Sequence, residues 1–95
     1  MEGAAIHTRW FTNDHVLIKL SGAIEGDLLE TLRQTLATAL VRRRPARVLV
    51  DLRATTRLDP IAVGALIAAT DAAHDLGITL TIHERDGHTA LNPAG

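Results

Sequence analysis

Short runs of apolar and β-branched residues predict the strands of this chain. Residues 15–21 (HVLIKLS) form one run that ends at Gly22, and residues 78–83 (ITLTIH) alternate strictly between apolar and polar positions. Strict alternation is typical of a strand with one covered face. Residues 47–52 (RVLVDL) are apolar without alternation, which favours a central strand covered on both faces.

A weaker strand is predicted at residues 5–11, immediately before the first clear one. The segment between them, residues 12–14 (TND), has the composition of a turn. The two runs are therefore expected to form an antiparallel hairpin.

Apolar residues at helical spacing predict two helices. Leu29, Leu32, Leu36 and Leu40 make one stripe, with Asp27 as the expected N-cap and Pro45 as the stop. The second helix is expected to begin at the Asp59-Pro60 step, since Asp caps free amides and Pro fits the first helical turn. A left-handed cap at Gly77 is expected to end it.

The predicted order is β-β-α-β-α-β, and residues 53–57 are expected to form a loop. This order predicts an α/β fold with a mixed sheet of four or five strands and helices packed against it. With 95 residues the chain is expected to be one domain, with its core in 14–83. Residues 84–95 hold little apolar content and are expected to form one helical turn at most.

Composition excludes several kinds of site. The chain has no cysteine, which rules out disulfides and thiolate chemistry and fits a reducing cytoplasm. Its ten basic and eleven acidic residues nearly cancel, so nothing draws it strongly to nucleic acid or to an anionic membrane. Its longest apolar stretch is half the length of a membrane span. We therefore expect a soluble, cytoplasmic protein.

Residues 48–64 (VLVDLRATTRLDPIAVG) carry the most information. The segment is predicted to contain, in order, a buried strand, a short polar stretch and an acid that begins a helix. Such a helix start exposes backbone amides and a positive dipole end, which attract anions or partner carboxylates.

This segment resembles the STAS domain, the family of bacterial anti-sigma-factor antagonists and of the cytoplasmic tails of sulfate transporters. Asp51-Leu52, Leu58-Asp59 and Val63-Gly64 match the family pattern without a gap. Upstream, residues 20–25 (LSGAIE) are similar to a second family element, and residues 76–80 (LGITL) to a third. The resemblance covers about residues 14–83.

The chain departs from the family at the site that a kinase normally modifies. In the family, the second hydroxyl residue after the acid accepts a phosphate, and this modification breaks the complex with an anti-sigma factor. Here those two positions are Pro60 and Ile61, which have no hydroxyl group. Thr55 and Thr56 are the nearest alternative phosphoacceptors. The family's final helix is expected to be short or missing.

The resemblance implies binding to a regulatory protein such as an anti-sigma factor, through residues 53–64 and the 22–25 loop. The predicted partner-binding residues are Glu25, Arg53, Thr55, Thr56, Arg57, Asp59, Pro60, Ile61 and Val63. Simpler interpretations stay open: Asp59 as a helix cap alone, Pro60 and Ile61 as residues that merely start a helix, Glu25 as a solvated loop acid, and Thr55 and Thr56 as ordinary polar residues.

Catalysis and metal binding have little support. Ser21 lacks a nucleophile motif, there is no glycine-rich phosphate loop, and His83 and His88 lack a fixed set of converging ligands. We therefore predict no enzyme activity, no metal and no cofactor.

Three hypotheses follow. The leading one is a non-catalytic bacterial interaction module in transcription regulation. The second is a subunit or scaffold of a larger assembly, which includes a homo-oligomer, a stressosome-like particle or a transporter complex. The third is a nucleotide or small-molecule site in a crevice at Gly22 and Thr55.

Overall fold

The computed structural model describes residues 3–85, which form one four-stranded sheet with two helices. The elements are, in chain order, β1 (Ala5–Trp10), β2 (His15–Ile24), α1 (Leu28–Ala37), a π-helix (Thr38–Arg43), β3 (Arg47–Leu58), α2 (Pro60–Leu76) and β4 (Thr79–His83). The predicted α/β class and element order are confirmed. The predictions for residues 86–95 lie outside the described residues.

The sheet is mixed and its strands lie in the order β1-β2-β3-β4. β1 and β2 form the predicted antiparallel hairpin, whereas β2, β3 and β4 run parallel to one another. The carboxyl ends of β2 and β3 therefore meet at the same end of the sheet. The chain leaves β3 there and enters α2.

Both helices pack against one face of the sheet, and the core lies between the two layers. Leu32 and Leu36 of α1 and Leu66 of α2 are buried against Ile18 and Val50 of the central strands. Alternate residues of each strand point to this face. The core consists of aliphatic side chains, mainly Leu, Ile, Val and Ala.

The opposite face of the sheet is not covered by any element within residues 3–85, and we call it the open face. Within residues 3–85, therefore, residues 47–52 are covered on one face, where the sequence predicts cover on both. Leu49 is only partly buried, and Asp51 is buried because Arg53 bonds to it. The open face carries, among others, His7, Arg9, Leu17, Lys19, Arg47, Leu49, Asp51, Thr81 and His83.

The strands β2 and β3 are longer than the sequence predicts. Residues 53–57 are not a loop: β3 continues to Leu58 and pairs with an extension of β2 to Ile24. Two register shifts interrupt this pairing. One lies at Gly22, whose positive φ of 75° lets the strand bend past Ala4.

The start and the end of α1 also differ from the prediction. Asp27 has helical backbone angles and its side chain caps nothing. The carbonyls of Glu25 and Gly26 accept from the amides of Leu28 and Leu29 instead, because the chain already turns before the helix. At the other end, residues 38–43 widen into a π-helix, which Arg44 ends in a left-handed conformation.

Candidate functional site

The start of α2 is fixed at the carboxyl end of the sheet. The Asp59 carboxylate accepts from the amide of Ile61 at 2.8 Å, so the acid caps the helix as predicted, and Pro60 occupies the first turn. The amide of Asp59 donates to the Ile24 carbonyl at 3.1 Å. This bond ties the helix start to the end of β2.

The first turn of α2 presents apolar side chains outward. Ile61 is 63% exposed, Pro60 is exposed and Val63 is half-buried, whereas Ala62 between them is fully buried. We call Asp59, Pro60, Ile61 and Val63 the α2 tip. A large aliphatic side chain this exposed is suited to contact with another protein.

An apolar groove runs from Ile61 along the line where α1 and α2 meet. Its volume is about 420 Å³, and Arg33 lies at its edge. Alanines at positions 65, 68 and 72 follow Ile61 at helical spacing and keep the groove open because their side chains are small. The remaining lining residues are Leu36, Ala37, Leu40, Val41 and Ala69.

Glu25 and Arg57 meet beside the α2 tip. A guanidinium nitrogen of Arg57 lies 3.3 Å from the Glu25 carboxylate oxygens, and both side chains are largely exposed. The structure thus brings together the ends of β2 and β3, as the sequence suggested. An exposed pair of this kind adds little stability, so its charges are accessible to a partner.

Arg53 does not join this cluster. Its guanidinium binds both carboxylate oxygens of Asp51, at 3.0 and 3.1 Å, on the open face of the sheet. These hydrogen bonds hold the pKa of the Asp51 carboxyl below its ordinary value, against the opposing effect of burial. Sequence reasoning missed this pair, although residues two apart on a strand share a face.

The two threonines proposed as alternative phosphoacceptors differ in accessibility. The Thr55 hydroxyl donates to the Leu52 carbonyl at 2.6 Å and is half-buried, whereas Thr56 is exposed. The Arg85 guanidinium also donates to the backbone carbonyl of Thr55 at 3.2 Å. Thr56 is therefore the more accessible hydroxyl of the two.

The crevice expected at Gly22 and Thr55 is filled on the Gly22 side. A side-chain carbon added at Gly22 would lie 2.8 Å from the Cα atom of Ala4. The Thr55 hydroxyl is already bonded. These contacts leave the nucleotide hypothesis without structural support.

Residues 3–85 contain neither a cluster of metal ligands nor a membrane-spanning helix. In that part of the chain no group of three or more His, Cys, Asp or Glu side chains converges as a metal site would require. No helix there is long and apolar enough to cross a membrane.

Apart from Ile61, the groove residues were not predicted as part of the site. Leu36 and Leu40 are predicted only as part of the apolar stripe of the first helix, and the stripe formed by Ile61 and the alanines at 65, 68 and 72 is not among the predictions. Its spacing of four, three and four residues is the signal that could have revealed it. This stripe borders the buried face of α2 rather than forming it.

Comparison with known proteins agrees with this geometry. A family model described as Mlab, STAS domain, matches residues 7–91. This confirms the resemblance drawn from residues 48–64. No match was found among curated proteins.

Several solved structures share the fold. The anti-sigma factor antagonist SpoIIAA in its unphosphorylated form has a TM-score of 0.74 at 17% identity, covering 82% of this chain and 71% of that one. The Bacillus cell fate determinant SpoIIAA in its phosphorylated form has a TM-score of 0.72 at 17% identity, covering 80% and 68%. Native Mglu has a TM-score of 0.71 at 13% identity, covering 93% of this chain and 28% of that one. At these identities the likeness concerns the fold alone.

Proposed function

The chain belongs to the STAS domain family, and we propose that it is a non-catalytic interaction module that binds an anti-sigma factor or a related regulatory protein. It acts in the bacterial cytoplasm, an assignment that its lack of cysteine supports. By occupying its partner's surface it frees or blocks a sigma factor.

The partner contacts the α2 tip, and the exposure of Ile61 carries this proposal. The side chain is 63% exposed at the mouth of an apolar groove. Full burial of an aliphatic side chain of this size stabilises a complex by about 1.5–3 kcal/mol. The Glu25–Arg57 pair, Thr55 and Thr56 form the polar surroundings of this contact, as charged and hydroxyl groups commonly do at the rim of an interface.

Binding at the α2 tip is not controlled by phosphorylation of positions 60 and 61. Proline and isoleucine carry no hydroxyl group, so neither residue can accept a phosphate. The complex is therefore constitutive, or is controlled at another residue.

A pull-down with a matched pair of variants tests this proposal. Ile61→Asp places a charge in the contact and is expected to abolish capture of one specific protein from the source cell. Ile67→Asp is the control, because Ile67 is also exposed (43%) on α2 but points about 120° away from Ile61 around the helix. Equal capture by both variants and by the wild type would contradict the proposal.

A second candidate function is a subunit of a larger assembly. The continuous apolar surface of Ile61, the groove and Val41, which is 56% exposed, favours it. In that case neighbouring subunits cover this surface. Oligomeric state distinguishes the two candidates, as set out in the Discussion.

A further inference from the structure

The open face of the sheet has an apolar centre surrounded by cations. The strand register aligns Arg9, Leu17, Leu49 and Thr81 in one row across the four strands. Leu17 and Leu49 are half-buried and lie side by side in the two central strands. They form the centre of the face, and Arg9 lies at one end of their row.

The neighbouring rows place a cation on each side of these leucines. Lys19 belongs to the row that also holds Asp51, and Arg47 belongs to the row on the other side. All three cations, Arg9, Lys19 and Arg47, are exposed. The ion pairs formed within residues 3–85 include none of them.

The charge of the open face is opposite in sign to that of the whole chain. Arg53 neutralises Asp51, so the strand residues that the register places on this face carry a net charge of +3 from Arg9, Lys19 and Arg47. The chain as a whole has a formal charge of −1. Phe11, 57% exposed with the Arg9 guanidinium 5.3 Å from its ring centre, extends the apolar area at one edge. A depression of about 300 Å³ lies between Phe11 and Leu49.

We propose that the open face binds an acidic segment of a second partner protein, with an apolar side chain of that segment on Leu17 and Leu49 and its carboxylates on Lys19, Arg47 and Arg9. An apolar centre with a charged rim is the usual organisation of a protein interface. Complementary charge at the rim fixes the partner's orientation and accelerates association. This surface lies on the face of the sheet opposite the helices, so it is separate from the α2 tip.

A protein partner fits this face better than a nucleic acid does. Single strands are held mainly by stacking of successive bases on several aromatic rings. Phe11 is the one Phe, Tyr or Trp side chain that the described residues place at this face.

Peptide binding measured by fluorescence anisotropy tests the proposal. The probe is a labelled peptide with a central pair of leucines between glutamates, and the control peptide has glutamines in place of the glutamates. We expect the acidic peptide to bind, the control peptide to bind at least tenfold more weakly, and affinity to fall as salt is raised. Amide resonances of Leu17, Lys19, Leu49 and Thr81 are expected to shift.

Variants locate the binding surface. Lys19→Gln with Arg47→Gln is expected to weaken binding of the acidic peptide about tenfold. Arg42→Gln with Arg44→Gln removes the same charge from the π-helix and the residue that ends it, and is expected to have no effect. Ile61→Asp should also leave peptide binding unchanged, which keeps this test separate from that of the α2 tip.

Four outcomes would overturn the proposal. The first two are equal binding of both peptides and an equal loss of affinity for the acidic peptide in the two double variants. The third is tighter binding of oligouridine or of anionic vesicles than of the acidic peptide. The fourth is a salt-dependent dimer of this chain formed through the open face.

Discussion

Asp51 and Arg53 are two residues apart on β3, and their ion pair makes stability depend on pH. Asp51→Asn is expected to lower the unfolding free energy at neutral pH by about 1 kcal/mol, a value reduced from that of a buried pair because Arg53 is 60% exposed. Asp51 has a lowered pKa in the folded protein because Arg53 donates hydrogen bonds to it. Its stabilisation is therefore complete above the unfolded pKa of about 3.9 and is lost as pH falls through the lower, folded pKa.

Urea unfolding of the wild type and Asp51→Asn between pH 7 and pH 2 checks this prediction. The difference in unfolding free energy should stay constant down to about pH 5 and shrink below about pH 4. Glu30→Gln is the control, since the Glu30–Arg33 pair lies on the exposed side of α1 and its loss should change stability very little. A difference at pH 2 as large as that at pH 7 would exclude the Asp51 charge as its source.

Hydroxyl accessibility determines where a kinase could act. Incubation with a cognate kinase and ATP is expected to leave the intact mass unchanged, because positions 60 and 61 lack a hydroxyl group. Thr55 is half-buried and bonded to Leu52, so it is a poor substrate. If one phosphate is found, we expect Thr56→Val to prevent its addition and Thr55→Val to leave it unchanged. Phosphorylation of Thr55 would contradict this prediction.

At the scale of elements, Gly22 and Gly64 predict opposite effects of the same substitution. Gly22→Ala is expected to destabilise the protein by about 1–3 kcal/mol, because Gly22 has a positive φ and a Cβ there would lie 2.8 Å from the Cα atom of Ala4. Gly64→Ala is expected to stabilise α2 by about 0.5–1 kcal/mol, since the added carbon meets nothing within 4 Å. Thermal unfolding of both variants measures the two effects, and a stable Gly22→Ala would show that the strand can shift away from Ala4.

The limits of sequence prediction are clearest at the ends of β2 and β3. Local sequence patterns were enough to predict the strands that are rich in apolar residues, such as residues 15–21 and 47–52. They were also enough to predict α2, because its Asp59-Pro60 start and its Gly77 end are strong local signals. Residues 53–57 are polar, and residues 22–24 follow a glycine, so neither segment looks like a strand alone. Each becomes one by hydrogen bonding to the other, which is a tertiary effect that overrides local propensity.

The candidate site was predicted in part for the same reason. The order of strands and helices is enough to predict that the α2 tip is exposed and that Glu25 lies near residues 53–57. The position of Arg53 on the open face, in contrast, depends on its bonds to Asp51. The groove and the cationic face each combine residues from elements distant in sequence. The binding roles of all of these residues stay predictions.

At the scale of the whole molecule, the outer surface predicts the oligomeric state. Ile61 and Val41 are large exposed aliphatic residues at the groove, and its other lining is mostly alanine. An interface of alanine side chains buries little apolar area compared with a stable dimer. We therefore expect light scattering to give the mass of one chain. A stable oligomer that Ile61→Asp dissociates would favour the assembly candidate instead.

The π-helix after α1 makes the fold sensitive to the number of residues in that segment. In the π-helix the amide of Arg44 bonds to the carbonyl of Ala39, five residues back, so this turn accommodates one residue more than an α-helix would. Deleting a single residue between 38 and 41 would restore regular winding and rotate Arg43 by about 100°. The Arg43 guanidinium, 4.0 Å from the centre of the Trp10 ring, would then lose its stacking partner on β1, so a shortened chain would loosen the hairpin edge of the sheet.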